Sequence, residues 1–258
     1  MTKPWSLFKA LSWPRFIRMN WIVGFELLAL VISGIWTAIQ GDFHTYTPFF
    51  TFCGFGMIPI VIATIMLATN NERLMVAETY RLIPINEWKL YAINLAASLV
   101  NQVYLWIVQA VIFLLTLWLG RNSLNTIFEG VPAGLSQLNG EVNLVQLGLT
   151  AIVLGLLAVV LVWSTISLVH YVTNATASFL PRFRQGFINA VITVVVFIIA
   201  IRLISMLIGG VSYLSSQIIS GGVISSMWTG ALVMLIIIIV ESALNVVILQ
   251  KWVEPKGN

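Results

Sequence analysis

Charged residues are scarce along this chain. Asp, Glu, Lys and Arg make up 9% of its 258 residues, whereas an ordinary soluble domain has about 25%. Apolar residues make up 59%, which is more than a soluble protein of this size can cover with polar surface. The composition excludes a soluble globular protein and predicts an integral membrane protein.

Thiols and imidazoles are also few. The single cysteine, Cys53, excludes an intrachain disulfide and a cysteine-based metal site. The run "HYVTN" has His170 four residues before Asn174, a spacing also found in intramembrane proteases. Those enzymes need paired glutamates and a second helical histidine as well. No two glutamates are adjacent here, and His44 lies outside the predicted spans, so we do not predict an intramembrane hydrolase.

Long apolar runs dominate what is present. Crossing about 30 Å of hydrocarbon takes roughly 20 apolar residues, and in lipid only a helix pairs its own backbone groups. The sequence contains six such runs, so we predict an all-α membrane protein with six transmembrane helices. Residues 1–20 precede these spans and residues 250–258 follow them. The predicted spans are Trp21–Ile39, Phe49–Thr69, Ala92–Leu119, Leu144–Tyr171, Ile188–Gly209 and Trp228–Leu249.

Basic residues are distributed unevenly among the polar segments, and lysine and arginine favour the cytoplasmic side. With the N-terminus inside, 11 of the 13 basic residues are cytoplasmic, Arg121 is outside and Arg202 is within the fifth span. We therefore predict a protein of the cell membrane with both termini in the cytoplasm.

The segment from Asn70 to Asn94 carries six of the 22 charged residues and joins spans two and three. Its first part predicts a short amphipathic helix on which Glu78 and Arg81 form an i, i+3 pair. Pro84 ends that helix, and Asn86 is suited to be the N-cap of the next. Two interpretations remain open: a helix lying on the membrane surface, or a stiff docking element for a soluble partner.

The run "ETYRLIPINEWKLYAINLAASLV" resembles the segment after the second span in permeases of the ABC transporter type 2 class. The topology is also similar, with six spans and both ends cytoplasmic. The resemblance implies that "PWSLFKALSWPRFIRMNW" is an amphipathic helix on the inner surface. It also implies that residues 71–83 form a coupling helix and that the uncharged residues 209–228 form a re-entrant segment.

The size of the chain and its lack of a soluble domain resemble the separate permease subunits of bacterial exporters, including those for lantibiotics and other amphipathic antimicrobial peptides. The resemblance implies partnership with two copies of an ABC ATPase, which would bind ATP and Mg, and with a second permease, the same chain or another. None of the five lysines lies in a phosphate-binding loop, so we predict no catalysis and no cofactor in this chain. The residues implied to couple to the ATPase are Glu72, Arg73, Glu78, Arg81 and Pro84.

Three charges fall inside predicted spans: Glu26, Arg202 and Glu241. A charge at the centre of a membrane helix is costly, so it usually faces protein or water. One interpretation is a structural pair between Arg202 and Glu241 that locks spans five and six. The other is that one of these residues contacts a cationic or amphipathic substrate.

A different class of function stays open. The chain has the features expected of a membrane binding or immunity protein that sequesters a peptide without an ATPase. A secondary transporter is disfavoured because the two halves show no matching repeat. Membrane lipid is an expected partner, and nucleic acid is not.

Overall fold

The computed structural model describes residues 4–76, 85–127, 144–177 and 223–252, together with the single positions 191, 194, 198 and 205. Every regular element in these ranges is an α-helix, which confirms the predicted all-α class. In chain order the helices are α1 (Pro4–Ile39), α2 (Thr47–Phe55), α3 (Met57–Val76), α4 (Glu87–Ile127), α5 (Leu144–Ala177) and α6 (Val223–Trp252).

Helix α1 joins two segments that the sequence suggested were separate. The predicted surface helix within residues 1–20 and the first predicted span are one continuous helix with Pro14 inside it. The chain turns away from the helix axis at Gly41, two residues past the end of α1, where φ is 81° and the backbone is left-handed. There the amide of Asp42 donates to the carbonyl of Thr37 at 3.1 Å and that of Gly41 to the carbonyl of Ala38 at 3.2 Å, the pattern of a Schellman cap.

The second predicted span is broken at Gly56, between α2 and α3. Pro59 has no N–H to donate to the carbonyl of Phe55, so the helix loses a hydrogen bond at this point. A Cβ at Gly56 would lie 2.8 Å from the carbonyl oxygen of Phe52, so only glycine fits the bend without a shift. Helix α3 then continues to Val76, seven residues past the predicted end of the span at Thr69.

The start of α4 confirms the predicted N-cap. The helix begins at Glu87, and the side-chain Oδ1 of Asn86 accepts a hydrogen bond from the amide of Trp88 at 3.1 Å. This bond satisfies one of the amides that a helix start leaves without a partner. Asn86 therefore sets where α4 begins.

Five stretches of these helices are long and apolar enough to cross a membrane, as judged by length and composition. The shortest has 25 residues, which at 1.5 Å per residue exceeds the hydrocarbon thickness of about 30 Å. The predicted fifth span, Ile188–Gly209, lies outside the described residues apart from the single positions. The stretches are Pro4–Ile39, Thr47–Met75, Glu87–Arg121, Gln146–Ala175 and Met227–Lys251.

Large apolar side chains cover the surface of these helices. On α1, Trp5, Trp13, Trp21 and Trp36 are each more than 60% exposed. Such a surface is unfavourable in water, because large exposed apolar patches are rare on soluble proteins. The described helices are therefore those of a membrane protein.

The chain divides into two compact units. The N-terminal unit includes described residues 4–67 and 96–127, and the C-terminal unit includes 68–76, 85–95, 144–177 and 223–252. In the N-terminal unit the rings of Phe49 and Phe52 contact Phe113, with centroids 5.7 and 6.1 Å away. In the C-terminal unit α5 packs against α6, and Trp163 and Val246 are fully buried there.

Candidate functional site

The end of α3 carries a carboxylate that faces a histidine. Glu72 Oε2 lies 3.6 Å from Nδ1 of His170 on α5, and the Glu72 side chain is 12% exposed whereas that of His170 is 43% exposed. The neighbouring Arg73 is exposed. Of the two charged residues predicted at the start of the coupling segment, Glu72 is thus held inside the C-terminal unit and Arg73 is accessible.

The two sides of the coupling segment are joined by a hydrogen bond. The side-chain amide of Asn94 on α4 donates to the backbone carbonyl of Asn71 on α3 at 3.2 Å. Both residues are buried, with Asn71 4% exposed and Asn94 2% exposed. Helix α3 enters this segment and α4 leaves it, so the bond ties its two ends together.

Asn245 on α6 extends this contact to the remaining helices of the C-terminal unit. Its side-chain nitrogen donates to the backbone carbonyl of Ser164 on α5 at 3.0 Å and to the hydroxyl of Tyr91 on α4 at 3.3 Å. The residue is fully buried, where hydrogen bonds are not in competition with water. Asn245 therefore bridges α4, α5 and α6.

Glu241 lies one turn before Asn245 on α6 and is 7% exposed. The hydroxyl of Thr165 on α5 lies 3.1 Å from each of its carboxylate oxygens. The predicted alternative partner, Arg202, lies outside the described residues. Within the described ranges Glu241 therefore contributes to the contact between α5 and α6.

Most of these contacts lie toward one end of the C-terminal unit, whereas Ser164 lies nearer the middle of α5. Glu72, Asn94, His170 and Asn245 each lie within about two turns of an end of their helix. They bring together the C-terminal ends of α3, α5 and α6 and the N-terminal end of α4. We call this group of side chains the polar clamp: Asn71, Glu72, Tyr91, Asn94, Ser164, His170 and Asn245.

The N-terminal unit has a different set of polar contacts, between α1 and α4. Arg15 is 3% exposed and donates from Nη1 to the hydroxyl of Ser98 at 2.7 Å. The side-chain amide of Asn101 donates to the hydroxyl of Ser12 at 2.9 Å. A basic residue that the sequence suggested was on the membrane surface is therefore buried between two helices.

Glu26, the intramembrane acid of α1, meets Gln109 on α4. The side-chain nitrogen of Gln109 donates to Glu26 Oε2, and the residues are 5% and 6% exposed, respectively. Glu26 Oε1, Gln109 Oε1 and both polar atoms of Gln102 are buried with no hydrogen-bond partner among the described residues. The sequence identified Glu26 as a candidate; it missed Gln109 and Gln102.

The missed residues belong to one polar face of α4. Between Glu87 and Arg121 its Ser, Thr, Asn and Gln side chains are all buried. Apart from the adjacent pair Asn101 and Gln102, they recur at intervals of three, four and seven residues, the period of one helix face. Amide and hydroxyl side chains at this spacing within an apolar run indicate a buried polar face. The intramembrane candidates predicted from the sequence were charged residues only. The residues are Asn94, Ser98, Asn101, Gln102, Gln109 and Thr116.

The other predicted coupling residues, Glu78, Arg81 and Pro84, lie outside the described residues. Residues 71–76 of the predicted coupling helix are the last turns of α3. Within the described ranges there is no group of three His, Cys, Asp or Glu side chains that would hold a metal ion. The arrangement suits helix-to-helix contacts.

Comparison of the chain with models of protein families, with curated proteins and with solved structures finds no match. The resemblance to type 2 permeases therefore rests on the residues and the topology quoted above. The polar clamp and the contact between Glu26 and Gln109 are the candidate functional features of the described residues.

Proposed function

We propose that this chain is the transmembrane subunit of an ATP-driven exporter and that residues 71–94 receive the movement of a separate ATPase. The observation that supports this proposal is the polar clamp. A coupling segment is useful only if its displacement reaches the helices that line the transport path. The clamp provides such a mechanical connection.

The connection is made on both sides of the segment. Before it, Glu72 contacts His170 on α5 at 3.6 Å. After it, the hydroxyl of Tyr91 accepts a hydrogen bond from Asn245 on α6. The bond between Asn94 and Asn71 joins the two sides directly. A push on residues 77–86 would therefore displace the ends of α5 and α6 together.

The sidedness of the clamp supports six spans. Helices α5 and α6 end on the same side of the C-terminal unit, so Ala177 and Val223 lie on opposite sides of it. We propose that the apolar run Ile188–Gly209 provides the crossing between them. Arg73, Lys89 and Lys251 lie near the clamp ends of α3, α4 and α6, so we propose that this side is cytoplasmic and that both termini are cytoplasmic as well.

The proposed assembly contains two copies of an ABC ATPase, which bind ATP and Mg, and a second permease subunit. The proposed substrate is an amphipathic peptide or another hydrophobic molecule. It would meet the apolar helices directly, and the few buried polar side chains would orient it.

The test is affinity purification of the tagged chain from native membranes, with ATP hydrolysis measured on the eluate. Wild type is compared with the double reversal Glu78→Arg with Arg81→Glu. The matched control is Lys251→Glu with Glu254→Lys, an i, i+3 pair that also keeps the net charge and also lies on the predicted cytoplasmic side. We expect ATPase activity with wild type and control, and its loss with the coupling-segment reversal.

Equal ATPase recovery from all three forms would overturn the assignment of the coupling segment. Absence of ATPase from the wild-type eluate would overturn the transporter proposal and leave the stand-alone binding or immunity protein. A second variant, Asn245→Leu, separates docking from transmission. It should recover the ATPase normally and lower substrate-stimulated hydrolysis.

A further inference from the structure

Glu26 is a carboxyl group deep in a predicted membrane span with one known polar contact. Its Oε2 accepts a hydrogen bond from Nε2 of Gln109, and the residue is 6% exposed. Its other oxygen is buried with no partner among the described residues, and so is the side-chain oxygen of Gln109. Two acceptors of one bonded pair are thus each left without a donor.

No ionisable residue lies one turn from either member of this pair on its own helix. One turn away on α1 lie Ile22, Val23, Ala29 and Leu30, which have no ionisable group. One turn away from Gln109 on α4 lie four further residues, Leu105, Trp106, Ile112 and Phe113, and none of these is ionisable.

Among the described residues of the N-terminal unit, the other charged and titratable groups lie further along α1 and α4, in α2, or in the connection between α1 and α2. Arg18, the basic residue nearest to Glu26 along α1, is eight residues away, about 12 Å along the axis. It is exposed and donates to the carbonyl of Pro14. Within this unit α2 and the first part of α3 contribute Cys53 and no charged residue. The others are Lys9, Arg15, Asp42, His44, Tyr46, Tyr104 and Arg121.

An ionised carboxylate in such a place is strongly unfavourable, because burial without a paired charge costs far more than neutralisation. One proton removes both problems at once. Bound to Glu26 Oε1, it neutralises the charge and is donated to Gln109 Oε1, while Gln109 Nε2 continues to donate to Glu26 Oε2. The acid and the amide then form a cyclic pair joined by two hydrogen bonds. Glu26 Oε2 and Gln109 Oε1 each accept one of them, and Glu26 Oε1 carries the proton.

We propose that Glu26 and Gln109 form a proton-binding site within the membrane span and that the site holds its proton at neutral pH. The proton comes from water and adds to the carboxylate to give the neutral acid. Its release leaves a buried charge beside an amide, which favours separation of α1 from α4 or entry of water between them. The proposal goes beyond the transport function and does not depend on an ATPase partner.

The test is infrared spectroscopy of the purified chain in lipid nanodiscs, titrated with pH in H₂O and in D₂O. A neutral carboxylic acid has a C=O stretching band that a carboxylate lacks, and the band shifts on deuteration. We expect this band at neutral pH in wild type and its loss in Glu26→Gln. That variant should fold, because its amide offers Gln109 the same donor and acceptor as the neutral acid.

Two further variants keep the test decisive. Glu241→Gln is the matched control, since it removes a buried span carboxyl on α6 whose oxygens both contact Thr165; it should leave the Glu26 band in place. Gln109→Leu should keep the band and shift its frequency, because the acid loses its amide partner. A band that is absent from wild type at neutral pH, is unchanged in Glu26→Gln, or is unshifted in Gln109→Leu would overturn the proposal.

Discussion

Replacing Asn245 with leucine tests whether the polar clamp holds the C-terminal unit together. Leucine is close to asparagine in size, so the change removes hydrogen bonds without opening a cavity. The lost bonds are one of normal length, 3.0 Å to the carbonyl of Ser164, and one long bond, 3.3 Å to the hydroxyl of Tyr91.

The expected magnitude follows from these two bonds. Hydrogen bonds between membrane helices average about 0.6 kcal/mol and reach about 1.7 kcal/mol. We assign the shorter bond the upper half of that range and the longer bond a few tenths. Asn245→Leu should therefore lower the free energy of unfolding by about 1–2 kcal/mol, a change of roughly 5- to 30-fold in the folded-to-unfolded ratio.

The assay is reversible unfolding in mixed micelles with increasing dodecyl sulfate, followed by circular dichroism. Gln250→Leu is the matched control because Gln250 is an exposed amide on the same helix, and exposed substitutions usually change stability by less than about 0.5 kcal/mol. If Asn245→Leu changes the free energy of unfolding no more than Gln250→Leu does, the clamp does not stabilise the unit and the coupling argument loses its mechanical basis.

Three further predictions concern the same helices. Gly56→Ala should lower the free energy of unfolding by about 1–3 kcal/mol, since the added Cβ overlaps a backbone oxygen. Gly54→Ala should not, because the space around Gly54 is open. Thermal unfolding compares the two variants, and equal midpoints would refute the steric argument. Asn86→Ala should lower the free energy of unfolding by about 0.5–2 kcal/mol, because it removes the N-cap. Amide hydrogen exchange should become faster in the first turn of α4. Unchanged exchange there would count against the cap. Trp163→Ala should lower the free energy of unfolding by about 3–5 kcal/mol because a fully buried ring is lost. Trp228 is half-exposed, so Trp228→Ala should lower it much less in the same assay. Similar losses would contradict the packing described for α5.

Much of the fold was predictable because membrane helices depend on physics that is local in sequence. Length and apolar content predicted the helical class and placed α4, α5 and α6, although the helices extend up to eight residues beyond the predicted spans. The cap at Asn86 was predictable because it depends on one side chain and an amide two residues later. Such features need no knowledge of which helices are neighbours.

The remaining features depend on contacts between distant segments. The charge of Arg15 predicts a surface position, but the structure buries it between α1 and α4, where the hydroxyl of Ser98 accepts a hydrogen bond from its guanidinium group. Pro59, three residues after Gly56, indicates the break there, because proline has no N–H to donate. Apolar content averaged over about 20 residues does not show it. A sequence alone shows that α4 has a polar face. It does not show that this face meets α1 in one unit and α3 in the other.

The contacts between α1 and α4 also have a consequence for biosynthesis. The bonds from Arg15 to Ser98 and from Gln109 to Glu26 each join residues 83 positions apart. At about 5–20 residues per second, the ribosome adds each partner roughly 4–17 s after it adds Arg15 or Glu26. During that interval Arg15 and Glu26 have no partner on α4, because that part of α4 has not yet been synthesised. Because such groups are costly in lipid unless they face protein or water, we expect Arg15 and Glu26 to stay in contact with water or with other proteins until α4 is inserted.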